Sequence, residues 1–586
     1  MLTCPTMQNE LSPQQRSLLF WGSFLALMTA GIGFGIRVMN VGTWIGEFNI
    51  SEAEAGGIFG ASLWPIAVGM ILFSLIVDKV GYKPSMLLAA ACHIGSTIWT
   101  FTALDKGSLI AAFVLAGFAH GIVEACINPL CATMYKESKT KMLNILHASW
   151  PAGIVVGAAL GLLFGGDGGA FTWRQLFLFL LLPSLIYAVM FAIVKVYPKD
   201  ERVENKVSYL EMMREFGGLG VFVAATFLFY ELTNQLGLFA EGAALAGKNQ
   251  LLVSLAFGAA LGLVCGISLK SKGKVMFFIL CLIMIPLATA EIATDGWIQK
   301  LMKPVLANEY EIDSGWAIVL SSLIMMTLRF FAGVPLKYLN PPSVLLVSSI
   351  FSIVGLFLLS SASGGMIFLA FVLYGVGQTF YWPTVLGFTA EQFPKGGAMT
   401  LNTVSAMGLL TVGIFGMPFL GAVGDHYNAE VVKVEQAQLF DKVDASSADG
   451  SLAYTEKNKK FFGWEYDSVN VANLLKDDAL VTEKGAALVD QMELPDEPTK
   501  EQRLEALEAN KTFNTTERSE VLKPEGVALE KSLQNNGRKV LKVAASLPAI
   551  MAVAFLLLIL YYKARGGYKP VQLDRDLEKS SEGPVL

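Results

Sequence analysis

Charged side chains are scarce in this sequence of 586 residues, because Asp, Glu, Lys and Arg together make up only 16% of it. An ordinary soluble domain carries about 25% charged residues. The formal net charge is only −5, which gives no electrostatic basis for binding nucleic acid. Six cysteines are present, five of them inside apolar stretches, and this excludes a disulfide scaffold. A soluble globular protein is therefore not expected.

Residues typical of catalytic and metal sites are also few. The four histidines, His93, His120, His147 and His426, do not form an HExxH motif, and no CxxC or nucleophile elbow occurs. Nucleotide-binding motifs that would drive a pump are absent as well. We therefore predict no enzyme activity, no metal site and no cofactor.

Long apolar runs are what the sequence has in abundance. Hydrophobic residues make up 54% of the chain and its mean hydropathy is +0.52. A helix needs about 20 mostly apolar residues to cross the hydrocarbon core of a bilayer. On that basis the sequence predicts an all-α polytopic membrane protein with fourteen spans, near residues 17–41, 56–77, 84–104, 108–134, 143–165, 174–196, 217–237, 250–270, 275–298, 315–338, 343–362, 365–390, 397–422 and 541–562.

The basic residues of the short loops predict the orientation. Lys and Arg concentrate in alternate loops, which are then cytoplasmic, at Lys79, Lys83, Lys136, Lys139, Lys141, Lys195, Lys199, Arg202, Lys206, Arg214, Lys270, Lys272 and Lys274. This places both the N-terminal tail (1–16) and the C-terminal tail (563–586) in the cytoplasm. No basic n-region precedes the first span, so no cleavable signal peptide is predicted. The expected location is the cell (inner) membrane.

One long polar segment, residues 423–540, separates the last two spans. It holds more excess acidic charge than the whole chain does, and on the predicted orientation it lies outside the cytoplasm. The stretches EKGAALVDQMEL and KEQRLEALEANK have the pattern of short amphipathic helices. We predict that this insert is a small helical cap or a partly disordered loop.

The loop after the second span, SLIVDKVGYKPSML, has a carboxylate at a helix end followed by a tight basic turn. Asp78 can cap or pair with a neighbouring helix end, Gly81 permits the turn, and Lys83 fixes topology. The loop resembles the signature loop of the major facilitator superfamily, although Ser74 and Tyr82 depart from that signature. The other interpretation is a merely basic cytoplasmic turn.

Further stretches resemble the fucose–galactose–glucose–proton symporter branch of that superfamily. They are HGIVEACINPLCATMYKESKTKMLNILHASWPAGIVVGAALG, ATAEIATDGWIQKLM, LRFFAGVPLKYLNPPSVLL and YGVGQTFYWPTVLGFTAEQF. The resemblance implies a first six-helix half (17–196), and a second half formed by 275–422 (five helices) with the last helix, 541–562. The segment 197–274 is then a linker that carries an extra two-helix hairpin.

Polar residues inside the spans are candidate site residues, because burying charge in a membrane is costly. Glu124 lies mid-span, and His120 and Asn128 are one turn away on the same helix face. In the resembled symporters the acid matching Glu124 takes part in substrate and proton handling. The alternative is a structural hydrogen-bonded pair, and His120 either tunes Glu124 or merely satisfies it.

Arg37 in the first span departs from the resembled branch, which has an acidic residue in this helix. The departure weakens the case for proton coupling and leaves a positive charge that needs a partner. We expect Arg37 to pair with Glu124, Glu291 or Asp295. The alternative is that it binds an anionic substrate group through bidentate hydrogen bonds.

The remaining candidates each have a plain alternative. Asn144 matches the branch, and His147 and Trp150 stand beside it; Trp150 could stack on a sugar ring or pack between helices. Glu291 and Asp295 are candidates for the site or for interfacial placement near Trp297. Gln378, Tyr381 and Trp382 form a polar–aromatic cluster suited to a sugar. Arg329 is expected to latch helices, with Glu391 as the suggested partner.

Together these features predict a secondary active transporter that moves a small polar solute, a monosaccharide, by alternating access. Proton coupling through Glu124 is a hypothesis. One alternative is an organic-anion carrier for sugar acids or phosphates that uses Arg37. Another is a transporter-fold sensor whose 423–540 insert binds a protein partner. The expected partners are the solute, protons and the lipid bilayer.

Overall fold

The computed structural model describes residues 11–48, 57–165, 169–239, 242–310, 312–444, 450–492 and 499–573. The predicted tails therefore lie partly outside the described residues. Within the described part, twelve helices are long and apolar enough to cross a membrane, and Gly315–Phe330 is a shorter apolar helix. Tyr82–Thr102 is a further helix at a predicted span. The predicted all-α class with about fourteen membrane helices is confirmed.

The first half is a bundle whose helices are joined by short turns. Its helices are α1 (Pro13–Phe48), α2 (Trp64–Val80), α3 (Tyr82–Thr102), α4 (Lys106–Met134), α5 (Lys139–Leu146), α6 (Ser149–Phe164), α7 (Trp173–Phe177) and α8 (Leu181–Ile193), with short 3₁₀ segments at Lys136–Ser138 and Leu178–Leu180. Small residues let α1 and α6 approach closely. A Cβ at Gly153 or Gly157 would overlap the backbone of α1.

A short linker helix, α9 (Glu201–Glu204), leads into the inserted pair α10 (Tyr209–Gln235) and α11 (Gln250–Leu269). The pair packs through glycines, since a Cβ at Gly262 would lie 2.8 Å from the carbonyl oxygen of Gly218. Helix α10 also contacts helices of the second half. The predicted extra hairpin is thus an antiparallel pair attached to the second half.

The second half repeats the bundle architecture, but two of its helices contain π-turns. The helices are α12 (Val275–Ala288), α13 (Thr294–Tyr310), α14 (Gly315–Phe330), α15 (Pro335–Tyr338), α16 (Pro341–Leu359), α17 (Met366–Gln378), α18 (Tyr381–Gln392) and α19 (Gly397–Thr411), with a 3₁₀ turn at Pro394–Gly396. The π-turns are Thr289–Ala293, between α12 and α13, and Val412–Gly416, after α19. Such turns often occur at functional sites, and these two lie against each other.

The insert is a folded unit with its own hydrophobic core. Helix α20 (Met417–Glu435) runs from the bundle into it. The other elements are α21 (Ala437–Phe440), β1 (Thr455–Phe461), β2 (Trp464–Val469), α22 (Val471–Leu474), α23 (Glu483–Asp490), α24 (Lys500–Thr515), α25 (Arg518–Val521), α26 (Pro524–Gly537), α27 (Lys539–Ala544) and the last membrane helix α28 (Ser546–Ala564). Helices α23 and α24 lie at the two predicted helical stretches.

The insert also contains an antiparallel β-hairpin, β1–β2, which the prediction of a helical cap or loop omitted. Its two-residue turn, Phe462-Gly463, has positive φ at both positions, as a type I′ turn requires. The turn's Phe462 stacks on Tyr230 of α10, and Phe461 lies 5.8 Å from the ring of Phe415. The hairpin therefore holds the insert against the membrane helices.

Candidate functional site

Hydrogen bonds join three candidate residues of the first half, Glu124, Asn128 and His147, into a buried chain, and His120 lies beside it. Asn128 donates from Nδ2 to Glu124 Oε2 over 2.6 Å, and His120 Nε2 lies 3.6 Å from Glu124 Oε1. The Nε2 atom of His147 lies 2.9 Å from Asn128 Oδ1. All four residues are buried, and the spacing of 120, 124 and 128 places them on one helix face, as predicted.

Arg329 joins this chain to the second half. It donates from Nη1 to the carbonyl oxygen of His147 (2.9 Å), from Nη2 to Glu291 Oε1 (2.8 Å) and from Nε to the carbonyl oxygen of Thr379 (2.7 Å). The suggested partner Glu391 is wrong, because Glu391 accepts hydrogen bonds from Thr140 and Tyr568 instead. Arg329 does latch helices, but inside the bundle, where its side chain is fully buried.

Glu291 and Asp295 are buried inside the bundle. Glu291 is in the π-turn Thr289–Ala293, and its Oε2 also accepts a hydrogen bond from the backbone nitrogen of Trp382 over 3.1 Å. Asp295 Oδ1 accepts from Tyr374 Oη (2.9 Å) and from Gln378 Nε2 (3.3 Å). The structure thus brings Asp295 together with Gln378, which was predicted to belong to a separate cluster.

Two further polar contacts cross between the halves. Asn144 donates from Nδ2 to Thr384 Oγ1 over 3.2 Å. Asn402 of α19 donates to Ser74 Oγ and to the carbonyl oxygen of Ala125, each at 3.0 Å. Sequence reasoning missed Thr384, Asn402 and Tyr374. The signal for Asn402 was present, since a lone amide in an apolar span needs a partner.

The aromatic candidates are engaged in packing. Trp150 stacks on His120 with ring centroids 5.3 Å apart. Tyr381 is fully buried, and its hydroxyl lies 3.5 Å from the carbonyl oxygen of Ser348. Trp382 lies against Gly408, where a Cβ would approach its ring to 2.6 Å. Of the three, Trp150 is only half-buried.

Arg37 is not part of the chain between the halves. Among the residues that the structure describes, no carboxylate lies within ion-pair distance of it, so the expected pairing with Glu124, Glu291 or Asp295 is wrong. The guanidinium carbon lies 5.2 Å from the ring centroid of Phe113, and Nε has no hydrogen-bond partner. Glu124 and Glu291 are instead satisfied by Asn128 and Arg329.

The end of the bundle that bears Lys79, Lys83, Lys136, Lys139 and Arg202 is here called the basic face. Asp78 forms an ion pair with Arg202 of the linker, and Gly81 has φ of +90°, which favours glycine. Lys83 donates to the carbonyl oxygen of Ala192 over 2.5 Å. The signature-loop residues therefore tie α2 and α3 to the linker and to α8.

Asp200 lies beside the Asp78–Arg202 pair and is buried. It accepts a hydrogen bond from the backbone nitrogen of Arg202 over 2.9 Å and so caps α9. Burial, with the neighbouring charge of Asp78, raises the pKa of Asp200 to about 6.

Contacts between the halves also close the basic face. Lys139 bonds Glu201 Oε2 over 2.6 Å and approaches the carbonyl oxygen of Ala390 at 3.4 Å. The Thr140 hydroxyl donates to Glu391 of α18. No group of three potential metal ligands occurs within the described ranges. The arrangement is a buried polar layer between two bundles, suited to binding a polar molecule and to holding protons.

Comparison with known proteins shows what the chain resembles. The sequence model described as Major Facilitator Superfamily matches residues 19–298. The Multidrug resistance protein D of Escherichia coli is 26% identical over 159 residues, covering 27% of this chain and 39% of that protein. The cis,cis-muconate transport protein of Acinetobacter baylyi is 27% identical over 192 residues, covering 31% and 44%. These alignments thus span about two-fifths of the curated relatives' lengths.

Solved structures share the fold. The proton:xylose symporter XylE, bound to 6-bromo-6-deoxy-D-glucose, superposes with a TM-score of 0.51 at 13% identity, over 72% of this chain and 91% of that one. The fucose:proton symporter FucP of E. coli gives 0.49 at 12% identity, over 70% and 92%. The chain thus matches the Major Facilitator Superfamily model over residues 19–298 and shares the fold of the XylE structure.

Proposed function

We propose that this protein moves a small polar solute of the monosaccharide class across the membrane by alternating access, coupled to protons. The observation that carries the proposal is the buried chain of hydrogen bonds that begins at Glu124 and Asn128 and crosses through Arg329 to the second half. Amides, a guanidinium and carboxylates match the donors and acceptors of sugar hydroxyls. A layer of this kind favours a polar solute over an apolar drug.

Proton coupling is supported by the balance of buried charge in this layer. Glu124, Glu291 and Asp295 are buried, whereas Arg329 is the one cation among the described residues of the layer that is always charged. Asp295 accepts only from the neutral Tyr374 and Gln378. An ionised carboxylate without a cation is costly in a membrane interior, so Glu124 and Asp295 are the proposed proton carriers.

The basic face is proposed to be cytoplasmic, because Lys and Arg favour that side. The tails then lie in the cytoplasm and the insert lies outside. The contacts of Lys139 and Thr140 with α18 keep the layer closed toward the cytoplasm in this conformation. Transport would require these contacts to break as the halves rock.

The proposal is tested by uptake of labelled monosaccharides into proteoliposomes under an imposed pH gradient. We expect concentrative uptake by the unaltered protein and loss of gradient-driven uptake in Glu124→Gln. The matched control is Glu204→Gln, because Glu204 forms an exposed pair with Lys136 outside the layer. Gradient-independent uptake that survives Glu124→Gln would refute the coupling, and no uptake of any monosaccharide would refute the solute class.

An organic acid is a second candidate solute. Two curated relatives are named as a cis,cis-muconate transport protein and a gentisate transporter, and Arg37 offers a buried cation without a carboxylate. Against it, Arg329 is saturated by Glu291 and two carbonyl groups. Competition decides the case: inhibition by sugar acids or aromatic acids, with no effect of neutral hexoses, would favour the acid.

A further inference from the structure

A small cavity of about 30 Å³ lies within the first half and reaches the layer between the halves at His120. It is bounded by α1, α3 and α4, with Ser62 and the residues around Phe177 completing the wall. A cavity must have a volume of about 10–15 Å³ to hold one water molecule. The cavity therefore has room for a water molecule or a small ion, and not for a sugar or a sugar acid. The polar residues that line it include Arg37, His93, Thr97, Thr100 and His120.

Arg37 brings a full positive charge to this cavity. Its side chain is 7% exposed, and no carboxylate pairs with it in the part of the chain that the structure describes. The ring of Phe113 offers one weak cation–π contact. A buried guanidinium without a counter-charge is costly, so the site is electrostatically incomplete without an anion.

The neighbouring groups are donors or can act as donors. Among the described residues, Arg37 Nε has no hydrogen-bond partner, and the hydroxyl-bearing residues Thr97 and Thr100 line the same cavity. His93 uses Nδ1 for the hydroxyl of Tyr187, at 2.9 Å, which leaves Nε2. No acidic residue lines the cavity. Cation, hydroxyls and imidazoles converging on a small volume are the chemistry of an anion site.

From this geometry we propose that the cavity binds a small monovalent inorganic anion of chloride size, held by Arg37 and by the hydroxyls of Thr97 and Thr100. The anion neutralises Arg37 and so stabilises the first half. His120 lines the cavity and also lies 3.6 Å from Glu124. The anion therefore sits one side chain away from the proposed proton site. This site is independent of the identity of the transported solute.

The test is thermal unfolding of the purified full chain in detergent, with NaCl exchanged for sodium gluconate at constant ionic strength. Gluconate is too large for the cavity, so we expect the midpoint to rise with chloride concentration and to saturate. Arg37→Gln should remove this rise and, in gluconate, should unfold no earlier than the unaltered protein. Arg174→Gln is the matched control, because Arg174 already pairs with Glu47, and it should retain the full rise.

The double variant Thr97→Val/Thr100→Val keeps the shape of the wall and keeps Arg37. We expect this double variant to bind chloride several-fold more weakly than the unaltered protein. It tests the proposed anion site even if Arg37→Gln does not fold. Equilibrium dialysis with radioactive chloride should give one bound ion per unaltered chain. Equal midpoints in chloride and gluconate, no bound ion, or an unchanged rise in Arg37→Gln would each overturn the proposal. None of these results would bear on monosaccharide uptake.

Discussion

At the residue scale, two buried arginines, Arg329 and Arg37, have different surroundings. Arg329 has a carboxylate and two carbonyl oxygens around it, all within 2.9 Å. Arg37 has an aromatic face and a small polar cavity. The first arrangement joins the two halves of the molecule, and the second remains within one half. The two arginines therefore have separable roles.

Removing Arg329 should destabilise the protein strongly. In Arg329→Gln, Glu291 becomes a buried carboxylate without a cation, and the expected cost is about 3–5 kcal/mol in the free energy of unfolding. The double variant Glu291→Gln/Arg329→Gln should recover a large part of that loss. Denaturant unfolding in detergent measures both variants. A double variant that is less stable than Arg329→Gln would contradict this account of the pair.

Asp200 should make stability depend on pH. Its pKa in the folded protein is raised to about 6 from an ordinary 3.8, so the fold favours the protonated form. The stability that this proton provides is complete below pH 3.8 and is lost as the pH rises through about 6. Asp200→Asn keeps the cap on α9 without titrating. It should gain up to about 3 kcal/mol over the unaltered protein at pH 7.5, and nothing near pH 4.

Unfolding midpoints of the two proteins across that pH range check this prediction. The matched control is Asp105→Asn, since Asp105 also caps a helix, at Ser108, but is exposed. An Asp200→Asn advantage that does not change with pH would contradict the burial of an ionisable carboxyl here.

Contacts within one helix could be predicted from the sequence, whereas contacts between helices could not. Spacing within one helix places Glu124 beside Asn128, because both positions lie on one face. Partners on different helices depend on the rotation of each helix about its axis. The π-turn at Thr289–Ala293 adds one residue to a helical turn and so rotates the residues that follow it about the helix axis. The periodicity of the sequence did not indicate this π-turn. Arg329 and Arg37 were therefore assigned the wrong partners.

At the element scale, close helix contacts position the polar residues of the second half. Helices α16 and α17 approach so closely that a Cβ at Gly377 would overlap the backbone nitrogen of Ser352. Gln378 and Tyr374, which bond Asp295, are on the same helix as Gly377. The close approach of the two helices at Gly377 thus sets the distance from Gln378 and Tyr374 to Asp295.

Gly377→Ala should push α17 away from α16 and weaken both hydrogen bonds to Asp295. We expect a loss of about 1–3 kcal/mol in stability from overpacking, together with slower uptake. Gly365→Ala is the control, because a Cβ there would meet no atom within 4 Å. Unfolding midpoints and initial uptake rates measure the two effects. Unchanged values in Gly377→Ala would show that the contact does not position the site.

The elements themselves were largely predictable, and the hairpin of the insert was the exception. Apolar runs of span length have few structural alternatives, which is why the membrane helices formed at the predicted positions. Strand β1 is Thr-Glu-Lys-Asn-Lys-Lys-Phe, a polar stretch without alternating hydrophobicity. The pairing of β1 with β2 is set by the Phe462-Gly463 turn and by aromatic contacts with helices that are distant in sequence. The local sequence pattern does not indicate those contacts.

At the scale of the whole molecule, the two halves meet on the basic face through contacts that the proposed transport cycle must break. Thr140 of the first half donates to Glu391 of the second half. In a background without native cysteines, a short bifunctional reagent joining Thr140→Cys to Glu391→Cys should abolish uptake. Joining Lys136→Cys to Glu204→Cys, which does not bridge the halves, should leave uptake intact. Full uptake with the first pair joined would contradict a rocking mechanism.

The measurement that tests the central claim most directly is proton movement driven by a monosaccharide alone. Proteoliposomes holding a pH-sensitive dye, with no imposed pH gradient, receive a panel of monosaccharides outside. The account predicts acidification of the lumen with at least one sugar, absence of the signal in Glu124→Gln, and its retention in Glu204→Gln. Sugar uptake without acidification, or acidification by organic acids only, would contradict it.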